Sequence, residues 1–218
     1  MMSQEEAMAY FRNMPSKRRE NPHWRFDTEK ESIVRRDSNE DVSARIINSK
    51  EALCEIRNYF RNVYESFKTE SQVLLVTVED GKKLEQIGLP RLGGVKSFAG
   101  IEVDVFVLPQ VNTFSNSIIS ESFWQKYIVE QGIVPVARVH SHHVLDAYQS
   151  STDYATLNSN SLELVMGHIN DDGFSVAYWL DEHGTDTKAN VFWLSVSNGG
   201  NEFATGRLAS GRVRFEQK

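Results

Sequence analysis

The chain has 218 residues, 40% hydrophobic and 25% charged, which is ordinary globular composition and excludes collagen-like, coiled-coil and wholly disordered classes. A formal net charge of −6 argues against nucleic acid as the main partner, and a single cysteine, Cys54, excludes a disulfide framework or a multi-cysteine metal cage. Apolar runs such as 73–76 and 105–108 are far shorter than the ~20 residues a membrane helix needs, and no apolar segment follows basic residues at the N-terminus, so a cytoplasmic protein with no membrane partner is expected.

Residues 1–42 mix charges of both signs, carry few aliphatic side chains and are interrupted by Pro15 and Pro22. They read as an N-terminal arm or linker, partly ordered, or as a docking segment anchored by Trp24 and Phe26. The main domain is expected over 43–218. Residues 44–48 read as a short strand, after which Leu53, Ile56, Phe60, Val63 and Phe67 recur at helical spacing. Asn48, followed three residues later by Glu51, reads as the cap of that helix. Residues 72–79 (QVLLVTVE) read as a buried strand ended by Asp80-Gly81, and 82–100, with Gly88, Pro90, Gly93, Gly94 and Gly100, read as mostly loop.

A strand is expected over 101–108, stopped by Pro109, and a helix over 121–130, stopped by Gly132. Alternation over 134–140 predicts a further strand. Residues 162–169 and 174–180 flank Asn170-Asp-Asp-Gly173, a hairpin signal. A strand over 191–196 and a short basic strand near 212–215 complete the pattern. Strands and helices mix, so the fold class is α/β or α+β.

The chemistry concentrates in one stretch. His140 and His142 stand two apart at the end of a strand, and side chains at that spacing share a face, so both imidazoles can reach one ion. His143 then points elsewhere. Asp153 follows after a polar loop, where Ser150 can cap a helix that carries the carboxylate. Two imidazoles and one carboxylate leave the fourth position of a tetrahedral Zn2+ open, as in catalytic sites. The spacing does not match a His-Glu-x-x-His helix, nor the metallo-β-lactamase pattern, since Val144 and Leu145 intervene.

His140-Ser-His142, seven residues and then Ser150-x-x-Asp153 resembles the JAMM (MPN-plus, Mov34-type) zinc metalloprotease motif, and the string HSHHVLDAYQSSTDYATL is similar to bacterial, plasmid and phage members. The resemblance extends over about residues 44–185. It implies a curved mixed β-sheet flanked by helices, an architecture like that of cytidine deaminases. It also implies hydrolysis of amide or isopeptide bonds, commonly beside the C-terminus of ubiquitin or a related modifier. Zn2+ would be held by His140, His142 and Asp153, Ser150 would stabilise the oxyanion, and an upstream glutamate would act as base.

Two glutamates compete for that role. Glu70 follows the first helix and precedes the apolar run at Val73. Glu85 begins a rival match, although Pro90 makes 86–92 a poor central strand. Glu79 and Glu102 read as ordinary strand-edge residues. The expected partner is a protein or peptide substrate, with a ubiquitin-like modifier among the candidates; the sequence does not fix the oligomeric state. Two alternatives stand beside this reading: a non-catalytic scaffold of the same fold that works through protein contacts, and a deaminase-like zinc hydrolase, whose usual cysteine ligands this chain lacks.

Overall fold

The computed structural model describes residues 21–150, 161–171, 173–182, 185–186, 190–195 and 205–208. Strands β1 (Trp24–Asp27) and β2 (Ser32–Arg35) precede helices α1 (Val42–Ile47) and α2 (Lys50–Phe67). Then come β3 (Gln72–Thr77), α3 (Val78–Gln86), β4 (Arg91–Phe98), β5 (Ile101–Phe106), β6 (Gln110–Thr113) and β7 (Asn116–Ile119). A four-residue helix α4 (Glu121–Trp124) runs into a π-helical turn (Gln125–Val129). The remainder is β8 (Ala137–Ser141), β9 (Leu162–Gly167), β10 (Gly173–Glu182), β11 (Thr185–Asp186), β12 (Asn190–Ser195) and β13 (Thr205–Leu208).

The fold is mixed α/β. Its main sheet, nine-stranded among the described residues, runs β13-β12-β10-β9-β8-β3-β5-β4, with β11 on β10. Its pairs are antiparallel except β8–β9, which is parallel. Parallel neighbours need a long crossover, and here it is supplied by 142–161, the segment that begins with His142.

The sheet separates two apolar layers. On one face Val73, Leu75, Val103, Val105, Ala137, Val139, Leu164 and Val176 pack against Ile46 of α1 and Leu53, Ile56 and Phe60 of α2. On the other face Leu74, Val76, Phe106 and Leu108 pack with Leu84 of α3 and Ile128 of the π-helical turn. The period-2 alternation of β3 and β5 thus divides their side chains between two cores. Trp124 and Tyr127 pack against the second core.

Several local expectations are corrected. Residues 44–48 form most of α1 rather than a strand: Asp41 accepts a bond from the Ser43 N–H at 2.7 Å, and Val42 and Ile46, one turn apart, are both buried. The cap of α2 is Ser49, not Asn48; its hydroxyl donates to the Arg45 carbonyl and accepts from the Ala99 N–H. The stripe of α2 is buried only through Phe60, and Phe67 is 72% exposed. The 72–79 strand stops at Thr77, whose hydroxyl accepts from the Asp80 N–H and starts α3, which takes in Glu79 and Gly81.

The segment 82–100 is not mainly loop: it contains the end of α3 and edge strand β4, whose ladder shifts register between Leu92 and Lys96. The helix expected over 121–130 is α-helical only to Trp124 and continues as the π-helical turn. The strand expected at 134–140 is Ala137–Ser141.

Residues 21–42, expected within the arm, form β1, β2 and the first residue of α1. Trp24 is fully buried in the main core and its indole N–H donates to the Val136 carbonyl at 2.7 Å. Phe26 packs against the same core. The Asn170–Gly173 signal corresponds to the β9–β10 connection. The strand expected at 212–215 and the first 20 residues lie outside the described residues. No helix among the described residues is long and apolar enough to cross a membrane.

Candidate functional site

β8 alternates between two environments. Ala137 and Val139 enter the α2-side core, so Arg138 and His140 take the opposite face, and His142 follows two residues on. The His140 and His142 ring centroids are 5.2 Å apart, set edge to face. His142 is 5% exposed; its N–H donates to the Met166 carbonyl at 2.8 Å, which continues the β8–β9 pairing past the end of β8. The Tyr148 ring meets His142 edge-on at 4.8 Å.

The register of β3 against β8 pairs Gln72 with His140 and Leu74 with Arg138. The Ser141 N–H donates to the Ser71 carbonyl, and the Ser71 N–H to the Ser141 hydroxyl, both at 3.1 Å, so the two chains stay together beyond the last ladder pair. Carried two residues further, the register sets Glu70 across from His142, and residues opposite each other in an antiparallel pair share a face. Glu70 is 7% exposed and its N–H donates to the Thr113 carbonyl at 2.8 Å.

Glu85 lies elsewhere. It belongs to α3, beyond the opposite end of β3, and pairs at 3.2 Å with Arg91, which also reaches Asp104 at 3.1 Å. Burial pushes the Asp104 carboxyl above its ordinary range, and the Arg91 guanidinium opposes that shift. Ser150 is half-buried and ends a described segment; Asp153 and the helix expected around it lie outside the described residues. Among the described residues no group of three or more His, Cys, Asp or Glu is gathered for a metal. His140 and His142 fit a divalent cation in chemistry, as two partly or wholly buried imidazoles on one face with rings in contact.

Beside His140 lies a buried ion pair that sequence reading missed. Arg138 and Glu163 are register partners on β8 and β9, bonded at 2.7 Å, and the Ser161 hydroxyl donates to Glu163 at 2.9 Å. Glu163 is fully buried, and Arg138 is one of the partners that offset the cost of holding its carboxylate away from water. The pair was legible only in that Arg138 precedes His140 by two; its partner is non-local.

The segment after His142 crosses closely over β9. A Cβ at Gly167 would lie 2.2 Å from the Leu145 carbonyl oxygen and 2.4 Å from the Ala147 nitrogen, both backbone atoms. The Ala147 N–H donates to the Ser175 hydroxyl at 2.9 Å, the Leu145 N–H to the His142 carbonyl at 2.9 Å, and the His168 N–H to the Leu145 carbonyl at 3.0 Å. Gly167→Ala must therefore lift the loop that leads from His142 towards Ser150. Urea unfolding should show a loss of about 1–3 kcal/mol, together with weaker zinc binding; unchanged stability and zinc affinity would contradict this packing.

His143 turns away from the His140–His142 face, as expected, in a left-handed conformation with φ 46°. Burial pushes its imidazole below the usual pKa, and its bond to the Phe114 carbonyl opposes that shift. No protein-family model matches the sequence, and no curated protein matches it.

Proposed function

We propose that the chain is a zinc-dependent peptidase or isopeptidase of the JAMM (MPN-plus) type, acting on amide or isopeptide bonds in a protein or peptide substrate. The observation that carries this reading is the β3–β8 register, which pairs Gln72 with His140 and, extended by two residues, sets Glu70 across from His142, together with the 5.2 Å separation of the His140 and His142 rings. A carboxylate beside an imidazole pair is what water-promoted amide hydrolysis requires.

His140, His142 and Asp153 would hold Zn2+, which when bound polarises a carbonyl and lowers the pKa of water. Glu70 would take the proton from the attacking water and deliver it to the leaving amine. The Ser150 hydroxyl would donate a hydrogen bond to the developing oxyanion. The buried Arg138–Glu163 pair holds β8 to β9 beside the ligands, and the loop over Gly167 fixes the direction in which the chain leaves His142.

The test is incubation of the zinc-loaded chain with quenched fluorescent peptides and with an isopeptide-linked lysine conjugate. Cleavage that stops on chelation and returns with zinc supports the reading. Stoichiometric zinc with no cleavage of either class favours a scaffold that works through protein contacts, and failure to bind zinc removes the proposal.

A further inference from the structure

The β6–β7 hairpin cannot set its own position. Among the described residues its strands pair only with each other in a two-stranded sheet, and an isolated pair of strands is marginal in water. At its base the Gln110 side-chain amide acts as a ladder partner for β3, accepting from the Gln72 N–H at 2.8 Å and donating to the Gln72 carbonyl at 2.9 Å. The Gln72 side-chain amide donates in turn to the Ser117 carbonyl at 2.7 Å. These bonds hold the base and leave the tip to other contacts.

The tip is held by two residues next to the proposed site. The Thr113 carbonyl accepts from the Glu70 N–H at 2.8 Å. The adjacent Phe114 carbonyl lies 2.9 Å from His143 Nε2. A carbonyl oxygen only accepts, so Nε2 must carry the proton, and among the described residues the buried Nδ1 has no hydrogen-bond partner. The ring stacks on Tyr64 of α2 at 4.5 Å and meets the Phe114 ring at 5.7 Å. The His143 backbone is fixed as well, because its carbonyl accepts from the Ile169 N–H at 2.8 Å. A continuous run of contacts therefore leads from α2 and the β9–β10 turn, through the His143 ring, to the hairpin tip and on to the backbone of Glu70.

We propose that His143 is a positioning residue for Glu70: its Nε2–H holds the hairpin tip, and the tip holds the Glu70 backbone opposite His142. This rests on the peptidase reading in assigning Glu70 to the reaction, while the mechanical link from His143 to Glu70 stands apart from it. Glu70 precedes the first ladder residue of β3, so its position depends on such contacts more than that of a residue inside the strand. A displacement near 1 Å of a reacting group can cost about 10²-fold in rate.

The experiment compares His143→Phe, which keeps a ring against Tyr64 but loses the donor, with His143→Gln, whose amide N–H replaces Nε2–H. Both are zinc-loaded full chains. In His143→Phe, amide hydrogen exchange at Glu70 and over 113–116 is expected to rise at least about tenfold, since such protection follows local opening. On the best-cleaved quenched peptide kcat should fall about 10–100-fold, with KM and zinc content unchanged. His143→Gln should recover most of both losses. Equal exchange in the two variants, or equal loss of kcat in both, would overturn the proposal. If the wild-type chain cleaves neither the peptides nor the isopeptide-linked conjugate the peptidase reading fails, and the exchange comparison alone decides the link. A measurement on the wild-type chain needs no variant: nitrogen-15 shifts should show His143 protonated at Nε2 with a bare Nδ1, and the opposite tautomer would overturn it.

Discussion

Glu70→Gln is expected to lower peptidase turnover by about 10²–10⁴-fold, the usual loss when a general base is removed, while the zinc content stays that of the wild type. Glutamine keeps the shape and hydrogen-bonding reach of the side chain but cannot take a proton, and Glu70 is not among the proposed ligands. The fold should tolerate the change because the Glu70 bond to the Thr113 carbonyl comes from the backbone. Glu85→Gln is the control. Its carboxylate sits on α3 and pairs with Arg91, a pair half-open to solvent, so that variant should retain full turnover. Full turnover in Glu70→Gln with a loss in Glu85→Gln would reverse the assignment.

His142→Ala should lose both metal and activity. With one imidazole gone from a set of two imidazoles and a carboxylate, zinc should fall from one per chain to near zero in micromolar metal, and cleavage should fall to about 10⁻³ of wild type or less. His142 holds its place in the sheet through its own backbone bond to Met166, which the substitution leaves intact, so the chain should still fold. Thermal unfolding makes the distinction visible. A ligand that binds only the folded state stabilises it by mass action, so zinc should raise the midpoint of the wild type and leave that of His142→Ala unmoved. The same zinc-induced shift in both proteins would place the metal elsewhere.

What the sequence revealed depended on how local each signal was. The paired histidines were legible because a period of two needs only a strand, and β8 supplies one ending at Ser141. The apolar stripe of α2 and the turn signal at Asn170–Gly173 were local in the same sense. Residues 44–48 were misread because Ile46 and Ile47 suit a strand, whereas the cap from Asp41 and the burial of Val42 and Ile46 select a helix. Glu79-Asp80-Gly81 read as the end of a strand, but Thr77 caps a helix there, and Gly81 is needed because a Cβ would meet the Asp104 carboxylate at 2.3 Å.

Sequence position and Pro90 favour Glu70 over Glu85, but spacing by itself does not separate them. The further support for Glu70 is which strand pairs with β8 and in what register, a contact about 70 residues apart in sequence. The roles of His143, Gly167 and the Arg138–Glu163 pair were hidden for the same reason, since each acts on a partner that only the folded chain brings near. The β6–β7 hairpin escaped notice because its anchoring side is built from Gln110 and Ser117, with no apolar alternation facing a core.

A crystal structure of the zinc-soaked chain, recorded on both sides of the zinc absorption edge, decides whether His140, His142 and Asp153 share one metal ion. One anomalous peak per chain is expected, about 2.0–2.2 Å from a nitrogen of His140, a nitrogen of His142 and a carboxylate oxygen of Asp153, with the Glu70 carboxylate beside it. An ordered chain with the peak elsewhere, or with Asp153 turned away from both imidazoles, would contradict it.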